Sequence, residues 1–208
     1  MTTVTPATGM PQRLPAAVTQ PRPLVIGLDT SLTSTGIAGA DWAEALRPKS
    51  LTRHARLAWL LEEVTDRVKC ADLAVIEGPA YAQQLQPGHH ERAGLWWMVT
   101  QMLYRRDIPY AVANPHLRTI YATGRANPAQ GHPAQQRARI AKGMVHTFAV
   151  EELGVFCEGV GKYDAADAAV LAAMGMDWLG YPTLTLPDEQ RRALDSVQWP
   201  EQIPVVAR

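Results

Sequence analysis

Two hydrophobic rhythms alternate along this chain. Short continuous apolar runs that stop at polar, Gly or Pro positions read as buried strands, and longer runs with apolar residues three and four apart read as helices. The first run, Leu24-Val-Ile-Gly-Leu28, closes on Asp29, and a small polar stretch over 30–35 leads into Gly36-Ile-Ala-Gly39, the pattern of a hairpin. A third short strand is expected over 43–47. Leu57, Leu60, Leu61, Val64 and Val68 then fall at helical spacing, predicting a helix over 51–69. Leu73-Ala-Val-Ile76 is a fully apolar strand that ends on Glu77, where Gly78-Pro79 stops it. A polar loop over 81–88 precedes a helix over 89–106 and a strand over 108–113. Asn114-Pro115 reads as an N-cap with a first-turn proline, opening a short helix through Tyr121. After a Gly, Pro, Asn and Gln loop over 123–133, helices are expected over 134–151 and 164–179. This order of strands and helices predicts an α/β fold, a mixed five-stranded sheet flanked by helices.

Length and composition narrow the picture. The chain has 208 residues, enough for one domain with a full core. Residues 1–22 carry four prolines and no hydrophobic period, so they are expected to form a disordered arm before a domain over 23–180. Residues 181–208, also punctuated by proline, are expected to be a loosely attached tail. Cys70 and Cys157 are far apart and lack ligand spacing, which argues against a disulfide framework or a zinc module. No signal-like segment or membrane-length apolar run is present, so a soluble cytoplasmic protein is expected.

Formal net charge is zero, which excludes a polycation, but the charge is unevenly placed. From Arg92 to Lys142 the basic residues are Arg92, Arg105, Arg106, Arg118, Arg125, Arg137, Arg139 and Lys142, against the single acidic Asp107. Such a stretch suits a phosphate backbone, although a solvated helical face has the same composition.

The acidic residues carry the most chemistry. Asp29 and Glu77 each sit where a buried strand runs out, and Asp164 and Asp167 share one helix face. Carboxylates within about 4 Å of each other repel by roughly 4 kcal/mol per pair at an effective dielectric near 20, so a converged set needs cations or protons. Oxygen donors without His or Cys favour Mg²⁺. Two such ions can activate a water, neutralise a phosphate and stabilise a departing oxygen. Taken singly, Asp164 is equally an N-cap, Asp167 a first-turn charge, and Asp29 a turn-initiating residue.

Three segments taken together, Gly27-Leu-Asp29-Thr-Ser-Leu-Thr-Ser-Thr-Gly36-Ile-Ala, Ala74-Val-Ile-Glu77 and Asp164-Ala-Ala-Asp167-Ala, resemble the RuvC-like Holliday junction resolvases of the ribonuclease H-like superfamily. The similarity spans about residues 24–179. The resemblance implies a ribonuclease H-like fold and a catalytic, metal-holding set of Asp29, Glu77, Asp164 and Asp167. It also implies two Mg²⁺ or Mn²⁺ ions per site, and a homodimer that cuts a four-way DNA junction, leaving 5′-phosphate and 3′-hydroxyl ends. It implies a basic residue near the site as well, which falls on Arg137, Arg139 or Lys142, with Lys142 preferred. Tyr81 lies near the place of an aromatic junction wedge. DNA contacts are expected from Arg118, Arg125, Arg137, Arg139, Lys142 and Tyr81. The helix carrying Trp96, Trp97, Met98, Leu103 and Tyr104 is apolar on more than one face, which suits either a dimer partner or burial in its own core.

Two other classes fit parts of the pattern. An actin-like or sugar-kinase-type ATP-binding fold would use 30–36 as a phosphate loop, but no second phosphate loop or adenosine segment follows. A non-catalytic DNA-junction binding module would gain nothing from carboxylates that repel phosphates.

Overall fold

The computed structural model describes residues 12–13, 22–79 and 88–202. In chain order the strands are Gln12–Arg13 (β1), Val25–Asp29 (β2), Thr35–Ala38 (β3), Ala43–Leu46 (β4), Leu73–Glu77 (β5), Tyr110–Ala113 (β6) and Leu184–Thr185 (β7). The α-helices are Arg53–Val68 (α1), His89–Arg105 (α2), Pro115–Thr123 (α3), Ala134–Thr147 (α4), Lys162–Trp178 (α5) and Asp188–Arg191 (α6). Five strands form one mixed sheet in the order β4-β3-β2-β5-β6. β2, β3 and β4 are an antiparallel meander, while β5 and β6 add in parallel on the other side of β2. The mixed α/β sheet expected from the hydrophobic pattern is the one observed.

Strand periodicity decides which way the acidic residues point. Ile26, Leu28, Ala74 and Ile76 pack with α1 and α2 on one face, whereas Val25, Leu73 and Val75 pack with α5 on the other. Asp29 and Glu77 continue the second series. Leu28 lies opposite Ile76 in the parallel pair, so the next residues of β2 and β5 leave the sheet side by side on the α5 face. The carboxylates therefore face the helix that carries Asp164 and Asp167.

α5 lies unusually close to that sheet. A Cβ at Gly36 would stand 1.9 Å from the Asp164 carbonyl oxygen, and one at Gly27 would stand 2.0 Å from the Ala168 carbonyl oxygen. Neither contact is possible, so both strands need glycine where the helix crosses. The alanines of α5 complete the fit, and every residue from Ala165 to Asp177 is buried. The helix begins two residues before the expected position. Its N-cap is Gly161, at φ +93°, so Asp164 sits inside the first turn and is not the cap.

Two other expectations are corrected. The helix expected over 134–151 is α-helical only to Thr147, and Phe148–Glu152 continues as a π-turn. The wider turn brings Phe148, Ala149 and Leu153 all into the core. The tail expected to be loose is packed over 181–199. Leu184, Leu186, Ala193, Leu194 and Val197 are buried, Trp199 stacks on Trp178 at 4.5 Å, and Gln198 pairs with Val112 on the outer edge of β6. The arm expected over 1–22 lies largely outside the described residues, but its Gln12–Arg13 pairs antiparallel with β7. Among the described residues no helix is long and apolar enough to cross a membrane.

Candidate active site

Three of the four acidic residues meet around one atom. Arg118 Nη1 bonds Glu77 Oε2, lies 2.8 Å from Asp167 Oδ2, and lies 4.0 Å from Asp29 Oδ2. The parallel register of β2 and β5 supplies two of these side chains, and the close approach of α5 supplies the third. Asp164, one turn earlier on α5, is near enough for its charge to act on Asp29, Asp167 and Arg118.

Arg118 reaches this point through local chemistry. The Asn114 side chain accepts a hydrogen bond from the His116 amide at 3.0 Å and Pro115 opens the first turn, so α3 starts where expected. Its inward face then carries Arg118, Tyr121 and Ala122, all buried. Arg118 was expected on the DNA-contacting surface. It is instead 9% exposed, because its guanidinium is the counter-charge of the acidic cluster. Its position within a buried helical stripe was the signal available in the sequence. Basic character alone points outward.

The electrostatics match the crowding. Burial, then the charge of Glu77, pushes the Asp29 carboxyl well above the usual range, and Arg118 offsets only part of this. Burial likewise raises Glu77 against the pull of Arg118. Burial raises Asp167 to about 7, with Arg118 pulling it down and Asp29 pushing it up. One guanidinium thus leaves a deficit of positive charge. Its own Nε is buried without a hydrogen-bond partner.

The donor chemistry fits a hard divalent cation. Asp29, Glu77 and Asp167 offer carboxylate oxygens that already surround a positive group, and Asp164 stands beside them. In the positions described, however, no group of three or more His, Cys, Asp or Glu side chains is spaced to grip an ion among the described residues. Arg118 fills the middle of the ring.

The surroundings sort the remaining sequence candidates. Lys142 is exposed on α4, and its charge acts on Asp29, Glu77 and Asp167. Arg125, Arg137 and Arg139 are exposed, and Arg137 Nε donates to the His132 carbonyl at 2.8 Å. Tyr81 lies outside the described residues. A cleft of about 250 Å³ opens onto Asp29 and Glu77 and is lined also by His89, Arg92 and Trp96. Trp96 Nε1 anchors that wall by donating to the Glu77 carbonyl at 3.0 Å. A second depression of about 580 Å³ is bordered by Arg118, His116, Asn127, Gln130 and Arg137.

The loop after β2 does not behave as a phosphate cradle. The Ser31 amide donates to Thr35 Oγ1, and the amides of Thr33 and Ser34 donate to Ser31 Oγ, so these donors are spent inside the turn.

Sheet order, the helix pressed on the sheet and the carboxylates at the strand ends define a RuvC-like, ribonuclease H-like fold. Among solved structures, that of Thermus thermophilus RuvC is similar at 15% identity and a TM-score of 0.53, covering 78% of this chain and 99% of that one. Thermus thermophilus RuvC in complex with a Holliday junction substrate is similar at 16% identity and a TM-score of 0.50, covering 79% of this chain and 100% of that one. No protein-family model and no curated protein matches the chain.

Proposed function

We propose that this chain is a metal-dependent, structure-selective DNA endonuclease that resolves four-way junctions in DNA recombination and repair. The observation that carries the proposal is the convergence of Asp29, Glu77 and Asp167 on one cation within 4.0 Å, on a RuvC-like fold. A similar structure described in complex with a Holliday junction substrate supports the choice of branched DNA.

Asp29, Glu77, Asp164 and Asp167 are the residues that would hold Mg²⁺ or Mn²⁺. Bound there, the ions would supply a water of lowered pKa and neutralise charge on the scissile phosphate, leaving 5′-phosphate and 3′-hydroxyl ends. The protein's own contribution is positional. β2 and β5 fix two carboxylates at the C-terminal ends of adjacent strands, and α5 holds the other two against them. Lys142 adds positive charge that acts on the carboxylates, and the exposed Arg125, Arg137 and Arg139 would track phosphates. His89 and Arg92 line the cleft that opens onto Asp29 and Glu77, where a stretch of DNA backbone would lie.

Two junction strands require two sites, and a homodimer provides them. Trp97 and Tyr104 support this reading, because they are seven residues apart on α2 and are 66% and 72% exposed. Two bare aromatic residues on one helical face are in keeping with an association surface there.

The test is to incubate the purified protein with a four-way junction, a linear duplex of the same sequence and an RNA–DNA hybrid, with Mg²⁺ or with EDTA. The proposal expects paired, ligatable nicks in the junction with Mg²⁺ alone. Metal-independent cleavage, or equal cleavage of all three substrates, would overturn it.

A further inference from the structure

We propose that Arg118 is the resident counter-cation of the acidic cluster, and that a divalent ion binds only by exchanging with its guanidinium. The inference deepens the metal-dependent reading above and rests on it.

The point where Glu77, Asp167 and Asp29 converge takes one cation at a time. Arg118 Nη1 contacts Glu77 and Asp167 and lies 4.0 Å from Asp29. A magnesium ion held by the same oxygens at about 2.1 Å would occupy the volume of that nitrogen. Coexistence would also set like charges about 3 Å apart in a buried place. The guanidinium must therefore leave.

Its departure is built into the site. The approach recorded for each of the three carboxylates is to one nitrogen, Nη1, so a single side-chain swing releases them together. Nε makes no hydrogen bond that would resist the swing. Arg118 also borders the depression of about 580 Å³ beside α3, where His116, Asn127 and Gln130 offer polar partners. In that position the side chain would join Arg137 and face the phosphate-tracking surface. The exchange turns one residue from a plug of the empty site into a potential DNA contact.

The test follows Arg118 directly. Wild-type protein labelled with ¹⁵N-arginine is titrated with Mg²⁺ while calorimetry records binding, the Arg118 Nε–Hε signal being assigned with Arg118→Lys. The signal should shift and lose protection from solvent exchange in step with Mg²⁺ occupancy. In parallel, Arg118→Met should bind Mn²⁺ at least about tenfold more tightly than wild type, since no internal cation competes. Millimolar guanidinium chloride should weaken Mn²⁺ binding to Arg118→Met but not to wild type, with sodium chloride at equal ionic strength as control. Saturable metal binding with an unchanged Arg118 signal would overturn the exchange and leave the metal reading standing. Failure of either ion to bind would overturn both. Should Arg118→Met not fold, the labelled wild-type titration decides alone.

Discussion

Asp167 shows how one buried carboxyl sets a pH dependence. Its pKa rises from 3.8 to about 7 in the folded chain, because burial outweighs the pull of Arg118. The folded state therefore keeps a proton that the unfolded state releases. The resulting stabilisation is complete below pH 4 and is lost as pH rises through 7, on the order of 4 kcal/mol. Asp29 and Glu77 shift in the same sense. Metal-free protein should accordingly melt at a lower temperature at pH 8 than at pH 5. Asp167→Asn should flatten that slope and raise the pH 8 midpoint, read by calorimetry in EDTA. A wild-type midpoint that climbs with pH would contradict the assignment. Asp29 and Glu77 were legible because each ends a recognisable apolar run, and Asp164 and Asp167 because their spacing puts them on one helix face. Arg118 was legible only as a member of a helical stripe with Tyr121 and Ala122, and that stripe does not announce which distant carboxylates will enclose it.

At the scale of elements, the site depends on how closely α5 approaches the sheet. A methyl group at Gly36 would meet the Asp164 carbonyl at 1.9 Å, and backbone cannot yield as a flexible side chain does. Gly36→Ala should cost roughly 3 kcal/mol and displace the first turn of α5, measured by denaturant unfolding. Gly143→Ala is the contrasting case. That residue lies inside α4 with nothing within 4 Å of its added Cβ, so the same substitution should stabilise by about 0.5–1 kcal/mol. Equal effects at the two positions would show that the close crossing is unimportant. The strands and long helices were readable from periods of two and 3.6 residues. The glycines' meaning was not, because close backbone approach depends on a helix more than a hundred residues away. The π-turn was also hidden, since sequence periodicity does not distinguish it from a continued α-helix.

Across the whole molecule, the C-terminal segment finishes the domain. Edge strand β6 is covered where Val112 and Gln198 exchange backbone hydrogen bonds at 3.0 and 3.1 Å. The buried carboxylate of Asp177 is held by Arg191 at 2.9 Å and accepts from Tyr121 Oη at 3.2 Å. Deleting residues 181–208 would free that edge, unstack Trp178 and strand a buried charge. The truncated protein should melt more than about 10 °C lower and aggregate on gel filtration. An unchanged midpoint would restore the picture of a loose tail. Short, aperiodic segments between prolines gave no local sign of this docking, which depends on partners supplied by β6, α3 and α5.

The proposed nuclease function requires these carboxylates to hold metal beside a DNA phosphate. The most direct measurement compares cleavage and binding of one four-way junction by wild type and Asp29→Asn in Mg²⁺. The account predicts that cleavage is abolished while binding is retained or tightened, because a repulsive charge is removed without loss of the phosphate-tracking surface. Full cleavage by Asp29→Asn would contradict it.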